Sequence, residues 1–151
     1  MRIEDEIKQP IFRDEFQKAY INLLYTSGWM QLRQAAAFKP YGLTLPQFNI
    51  LRILRGQHPL PATVALLIER MLDKTSNASR IVDRLEEKQL VTRTVCPANR
   101  RAVDIRITKA GLDLLDRIEE AGIANPGAIS QLNEAEVHQL NALLDKIRTN
   151  E

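Results

Sequence analysis

The sequence lacks most of the residue groups from which catalytic and metal centres are built. Its 151 residues include one cysteine, Cys96, which excludes an internal disulfide and a cluster of metal-binding thiolates. The two histidines, His58 and His138, lie outside any ligand spacing such as His-x-x-x-His. The six glycines are scattered, so there is no glycine-rich phosphate loop. These absences disfavour an enzyme, and we expect no catalytic residue, no metal and no cofactor.

Long apolar runs are missing as well. The longest reaches about five residues, at 64–68, far short of the roughly 18–20 residues of a membrane span. The acidic amino-terminal segment has no apolar stretch of the kind found in secretory signals. Apolar residues make up 44% of the chain and charged residues 26%, close to the globular average, which argues against disorder. We therefore expect a soluble cytoplasmic protein that does not associate with membranes.

The positive charge of the chain is concentrated in one stretch. The net charge is only +2, but the stretch from Glu69 to Lys109 has ten Lys/Arg against six Asp/Glu, which leaves a net negative charge elsewhere. A basic stretch of this kind is typical of a nucleic-acid footprint. A solvated basic face is the alternative that charge alone leaves open.

The apolar periodicity predicts a mainly helical chain with one hairpin. A helix over about 12–38 stops at Lys39–Gly42, because proline disfavours helical geometry in the residue before it. Thr44 and Gln47 have capping-box spacing for the next helix, which ends at Gly56. Further helices are predicted over about 62–71, 74–88, 108–121 and from about 133, where Asn133 and Glu136 repeat the capping spacing. Two strands, at 90–95 and 103–107, form a hairpin whose tip is basic.

Two short helices followed by a two-stranded ribbon are the layout of a winged helix-turn-helix. The predicted fold class is therefore mainly α with a small β-hairpin wing: a winged helix-turn-helix with N- and C-terminal dimerisation helices. We expect an N-terminal dimerisation helix in 1–42, a DNA-binding lobe in 43–109 and C-terminal dimerisation helices in 110–151. The first and last helices carry apolar stripes that the lobe cannot bury, so a homodimer is the simplest assembly.

The helix at about 74–88 is the candidate recognition helix. Helical geometry turns its apolar residues to one side and its polar residues to the other. The outer face carries Ser76, Asn77, Ser79, Arg80 and Arg84. Short hydrogen-bonding side chains and arginines can read base edges in the major groove. An ordinary polar surface is the alternative, and the basic hairpin that follows favours the DNA-binding interpretation.

The hairpin supplies a second group of candidate DNA-binding residues. Arg100 and Arg101 are adjacent at its tip, and an arginine on a projecting ribbon can enter a narrow minor groove. Arg93, on the first strand, is expected to meet phosphates. A solvated turn is the alternative for the tip.

Three stretches of the chain resemble MarR-type transcriptional regulators. Residues 43–51 resemble the second helix of these proteins, 80–93 the recognition helix and first wing strand, and 99–111 the wing and the start of the following helix. The resemblance implies a homodimer with intertwined terminal helices that presents two winged helices to a palindromic operator in double-stranded DNA. It also implies that Arg101 is the wing-tip arginine that reaches the minor groove.

The resemblance further implies a small anionic or aromatic effector, bound between the dimer helices and the DNA-reading lobe. Trp29, Tyr41 and Phe48 are candidate wall residues, and ordinary core positions are the alternative for all three. The predicted function is a sequence-specific DNA-binding transcriptional regulator, a ligand-responsive repressor. A winged helix used for protein–protein assembly is the main alternative, and apolar anchors on the recognition face would favour it.

Three positions depart from the family pattern. Asn99 replaces the aspartate usual in the wing, Ile68 replaces an alanine of the third helix, and Gln89 replaces a glycine before the wing. Ile68 is expected to need more room between helices. If residue 89 is left-handed, glutamine costs about 1 kcal/mol relative to glycine there.

Overall fold

A computed structural model describes residues 1–96, 99–123, 127 and 129–149, and only the backbone of residues 96 and 99–101. The chain forms seven α-helices, a short 3₁₀ turn and one hairpin within this part. In chain order these are α1 (Ile3–Glu6), α2 (Glu15–Phe38), the 3₁₀ turn (Lys39–Tyr41), α3 (Leu45–Gln57), α4 (Val64–Arg70), α5 (Ala78–Glu87), β1 (Val91–Cys96), β2 (Asn99–Ile107), α6 (Lys109–Glu120) and α7 (Glu134–Arg148).

Side-chain caps determine where most of these helices begin. Both predicted capping boxes are confirmed: Thr44 and Gln47 satisfy each other's backbone N–H groups at the start of α3, and Asn133 and Glu136 do so at the start of α7. Thr108 caps α6 by accepting from the Gly111 N–H. These contacts are local, which is why sequence spacing alone predicts them.

The hairpin is anchored to the rest of the lobe. β1 and β2 pair antiparallel, with Val91 opposite Ile107, and the register shifts between Val95 and Cys96. Ala62, just before α4, exchanges two backbone hydrogen bonds of 2.8 Å with Ile105, so β2 is paired on both sides at that point. The base of the wing is therefore fixed to the helical lobe.

One hydrophobic core joins α3, α4, α5, the hairpin and α6. Its fully buried side chains include Ile50, Leu51, Leu54, Leu67, Val82, Leu85, Ile105, Leu115 and Ile118. The last residue of α2, Phe38, also enters this core and stacks on Phe48, with ring centroids 4.4 Å apart. This is the helical lobe with a β-hairpin wing that the sequence predicts.

The structure corrects four details of the sequence interpretation. α5 begins at Ala78 and not near residue 74, because the Asn77 side chain caps it, so Ser76 and Asn77 precede the helix and do not lie on its face. The second strand begins at Asn99, four residues before the predicted start, and the short α1 is not predicted at all. Ile68 is 49% exposed, so it does not press on a neighbouring helix.

The two terminal helices leave apolar side chains exposed. On α2 these include Phe16, Tyr20 and Leu24, exposed at 87%, 65% and 58%, and on α7 they include Leu143 and Ile147. No element in the described part of the chain covers them. No helix among the described residues is long and apolar enough to cross a membrane.

Candidate nucleic-acid interface

α5 has one buried face and one polar exposed face. Ala78, Val82 and Leu85 are buried in the core. The opposite face exposes Ser79, Arg80, Asp83, Arg84, Glu86 and Glu87. None of these six is apolar, so this face lacks the fully exposed apolar anchors that a protein–protein assembly face needs. The exposed face suits hydrogen bonding to DNA.

The turn that leads into α5 is built around Asp73. Its Oδ1 accepts from the Thr75 backbone N–H at 2.9 Å and from Thr75 Oγ1 at 2.6 Å, and its Oδ2 accepts from Ser76 Oγ at 2.6 Å. The hydroxyl of Ser76 and the two groups of Thr75 hold the pKa of Asp73 at about 2. Asp73 is therefore ionised at neutral pH and accepts all three bonds.

Neighbouring contacts attach this turn to the lobe. The Leu72 backbone N–H donates to Asn49 Oδ1 on α3 at 2.9 Å. Lys74 Nζ donates to the carbonyls of Ile68 and Glu69 at the end of α4, the negative end of that helix. The segment that presents Ser76 and Asn77 is thus held from both α3 and α4.

A shallow groove of about 270 Å³ runs between the amino-terminal ends of α3 and α5. Its walls are Pro46, Gln47, Ser76, Asn77, Arg80, Ile81 and Arg84. Four of the five DNA-binding residues predicted for the candidate recognition helix therefore lie together. The fifth, Ser79, is exposed on the same helix. Arg84 also pairs with Glu87 at 2.8 Å on the helix surface.

The guanidinium of Arg93 lies against α5, whereas the sequence predicts that it meets phosphates. Its guanidinium pairs with the Asp83 carboxylate, lies 3.6 Å from Glu86 Oε2, and donates to the Ser79 carbonyl at 3.3 Å. All three partners belong to α5. Arg93 therefore joins β1 to α5, and its charge is already neutralised within the lobe.

The structure describes only the backbone of the two arginines predicted to contact DNA from the wing tip. Arg100 and Arg101 belong to β2 by their backbone, next to Asn99 at the start of the strand. The prediction that Arg101 enters the minor groove remains one made from the sequence.

Lys88 makes a contact that the sequence does not predict. From the end of α5 its Nζ donates to the Gly42 carbonyl, and it reaches Gln47 Oε1 at 3.2 Å. It connects the end of α5 to the turn and first helical residues of α3, across more than forty residues of sequence. A surface lysine carries no pattern that would reveal such a partner.

Gln89 is left-handed, as the family's glycine at this position suggests. Its φ is +60°, between the end of α5 and the start of β1. The Leu90 N–H then bonds to the Leu85 carbonyl at 3.0 Å, which closes the helix. The structure thus retains the turn geometry without the glycine.

One cavity of the described structure is large enough for a small molecule but is not lined by the predicted effector residues. It measures about 570 Å³ and is lined by Gln31, Ala35, Lys39, Gly42, Leu43, Thr44, Leu45, Pro46, Asn49, Leu72 and Asp73. Phe48 is a core residue and Tyr41 packs half-buried against the core. Trp29 lines a separate cavity of about 300 Å³ beside α1. The structure does not bring these three aromatic residues together.

A helical lobe with an anchored β-hairpin and a helix whose exposed face is polar is the architecture of a winged-helix DNA-binding protein. Residues 43–103 match the model of the MarR family. The regulator MgrA of Staphylococcus aureus is 31% identical over 110 residues, which cover 73% of each chain. The chain belongs to the MarR family: it is a winged-helix, DNA-binding regulator of transcription and not an enzyme.

Solved structures agree with this assignment. The crystal structure of a MarR transcription factor from Planctomyces limnophilus is 32% identical, with a TM-score of 0.68 over 89% of this chain and 98% of its own. BpsR of Bordetella bronchiseptica, described with the regulation of its DNA binding by 6-hydroxynicotinic acid, is 20% identical. It has a TM-score of 0.76 over 93% of this chain and 99% of its own, which shows a common fold.

Proposed function

We propose that the protein represses transcription as a homodimer bound to a palindromic operator, and that a small aromatic or anionic effector releases it. The observation that carries the proposal is the wholly polar exposed face of α5 beside the hairpin. The net positive charge of the stretch from Glu69 to Lys109 supports binding to a polyanion.

In this proposal, residues 43–109 read the DNA. Ser76, Asn77, Ser79, Arg80 and Arg84 contact the major groove, and Arg100 and Arg101 of the wing contact the minor groove. Arg93 acts indirectly, by holding β1 against α5.

Dimerisation uses the segments 1–42 and 110–151. The exposed side chains of Phe16, Tyr20 and Leu24 on α2, and of Leu143 and Ile147 on α7, form the apolar surface available for a partner. Fully burying one such side chain contributes about 1.5–3 kcal/mol, so a second copy of the chain gains substantially by covering them. Two recognition helices on one face of the duplex then require half-sites about 10–10.5 base pairs apart.

The effector site in this proposal is the 570 Å³ cavity. It lies between the carboxy-terminal half of α2, the start of α3 and the turn before α5, so an occupant touches the segment that presents Ser76. Lys39 supplies a positive charge for an anionic group, and Gln31 and Asn49 supply hydrogen-bonding amides. The effector of the fold relative BpsR, an aromatic carboxylic acid, has matching chemistry.

The DNA part of the proposal is tested by selecting duplexes from a randomised pool and sedimenting the complexes. We expect two chains on each selected duplex and an inverted repeat in its sequence. Arg80→Ala is expected to cost about 1–3 kcal/mol and to relax the preference at one position of each half-site. Arg13→Ala, which removes the same charge at the start of α2, is the matched control and is expected to bind as the wild type does. A single chain on each duplex would contradict the dimer.

The effector part is tested with a panel of aromatic carboxylic acids that includes 6-hydroxynicotinic acid. We expect at least one to weaken binding to the selected duplex, and Ala35→Phe, which fills the cavity, to abolish that response while leaving DNA binding intact. Inhibition that persists in Ala35→Phe would place the effector elsewhere.

A further inference from the structure

Two hydroxyl protons in the turn before α5 have fixed positions. A carboxylate has no proton to give, so both hydroxyls bonded to Asp73 are the donors: Thr75 Oγ1 at 2.6 Å and Ser76 Oγ at 2.6 Å. Each hydroxyl has only one proton. With that proton directed at Asp73, the hydroxyl oxygen can offer the surroundings only its lone pairs.

This geometry restricts what Ser76 can recognise. Phosphate oxygens, guanine O6 and N7, and thymine O4 are acceptors, so they cannot bond to a hydroxyl whose proton is already used. The donors in the major groove are the amino groups of adenine and cytosine. We propose that Asp73 is a specificity-determining positioning residue, which makes Ser76 an acceptor that reads the amino group of adenine or cytosine in the operator. This inference rests on the proposed function.

Ser76 is better placed than Thr75 for this role. Ser76 is half-buried and lines the groove between α3 and α5, together with Arg80 and Arg84. Arginines only donate, and they select base acceptors such as guanine O6 and N7. An acceptor beside two donors lets one groove distinguish both kinds of base edge.

Asp73→Asn should turn the Ser76 hydroxyl from a hydrogen-bond acceptor into a donor, because asparagine has nearly the same shape as aspartate but carries an NH₂ group. The backbone N–H and the hydroxyl of Thr75 both donate to Oδ1, so the amide oxygen of an asparagine remains there. Its NH₂ group then faces Ser76 and donates to Oγ. The Ser76 proton turns outward, and the hydroxyl becomes a donor.

The experiment compares four proteins: wild type, Asp73→Asn, Ser76→Ala and the double variant. The probe is the duplex that the wild type selects from randomised DNA. In separate copies of it, single adenines are replaced by purine deoxyriboside, which lacks the 6-amino group, and single cytosines by a pyrimidin-2-one deoxyriboside, which lacks the 4-amino group. The double variant carries the same charge change as Asp73→Asn but no hydroxyl, so it isolates the effect of charge. Thermal melting checks that each variant folds.

We expect one position in each half-site at which loss of the amino group weakens wild-type binding about three- to tenfold, the value of one hydrogen bond. Ser76→Ala should be insensitive to that loss, and Asp73→Asn should no longer prefer the amino group there. In the Ser76→Ala background, Asp73→Asn should leave the base preference unchanged.

Three results would overturn the inference. In the first, Ser76→Ala weakens binding equally on every duplex, as loss of a phosphate contact does. In the second, Asp73→Asn retains the preference for the amino group. In the third, wild-type binding is sequence-selective, but Ser76→Ala removes the dependence on an amino group at no position. Ser76→Ala deletes one oxygen, so it tests the acceptor role of Ser76, and can overturn the inference, even if Asp73→Asn does not fold. If the wild type selects no sequence at all, the proposed operator binding fails, and this inference fails with it.

Discussion

Arg93→Met separates two roles of an arginine that the sequence assigns to phosphate binding. The methionine retains most of the apolar stem of the side chain and removes the guanidinium, together with its contacts to Asp83, Glu86 and the Ser79 carbonyl. If Arg93 holds β1 against α5, its loss destabilises the lobe and weakens DNA binding without removing a DNA contact.

The expected loss of stability follows from the solvent exposure of the paired side chains. The Arg93 and Asp83 side chains are 31% and 53% exposed, so solvent screens the ion pairs and each contributes only about 0.2–1 kcal/mol. The hydrogen bond to the Ser79 carbonyl adds about 0.5–1.5 kcal/mol. We expect a loss of about 1–2 kcal/mol in the free energy of unfolding, and a fall in melting temperature of a few degrees.

The assay measures affinity for the selected duplex at several salt concentrations. A side chain that neutralises one phosphate contributes about 0.9 to the slope of log K against log salt concentration. We expect Arg93→Met to lower the affinity at every salt concentration with an unchanged slope. Arg84→Met serves for comparison, because Arg84 is proposed to lie in the major groove, where removal of its charge should reduce the slope. A slope reduced by about 0.9 in Arg93→Met, with an unchanged melting temperature, would refute the bracing role.

Three further predictions concern stability. Gly111→Ala places a Cβ atom 2.5 Å from the Leu90 carbonyl oxygen, so it should lower the free energy of unfolding, measured in urea, by about 1–3 kcal/mol. Unchanged stability would contradict the close approach of α6 to the wing. Gln89→Gly relieves a left-handed residue with φ +60° and should stabilise the protein by about 1 kcal/mol in the same assay; a loss of stability would contradict that strain. The ion pair with Lys18, followed by backbone and Arg2 contacts, lowers the pKa of Glu4 to about 2 from an ordinary 4.5. Because the pKa of Glu4 is lower in the folded protein, its ionised carboxylate stabilises the fold above pH 4.5, and this stabilisation is lost as the pH falls from 4.5 to 2. Attachment of α1 should therefore weaken over that pH range, and Trp29 fluorescence should report the change. A transition that persists in Glu4→Gln would contradict the assignment to Glu4.

Features that depend on local chemistry are predictable from this sequence. Thr44 with Gln47 and Asn133 with Glu136 form the expected capping boxes, because a cap involves residues only three positions apart. The apolar residues Ala78, Val82 and Leu85 of α5 face the core together, as expected because helical periodicity fixes which side chains share a face.

Two kinds of feature escape the sequence: a local turn that competes with a helix, and contacts between segments that are distant in the chain. The start of α5 is misplaced because Asp73 gathers Thr75 and Ser76 into a turn, and a run of polar residues is equally compatible with one more helical turn. The partners of Arg93 and Lys88 become visible only when β1 and the turn before α3 are placed beside α5. Charged residues pair across such distances without leaving a pattern in the sequence.

The most direct test of the account compares the affinity of the purified protein for its selected duplex with that for a shuffled duplex of the same composition, at physiological salt. A regulator that reads base edges through α5 should bind the selected duplex at least about 10³-fold more tightly. Equal affinity for the two duplexes would contradict the central claim that this chain is a sequence-specific DNA-binding regulator.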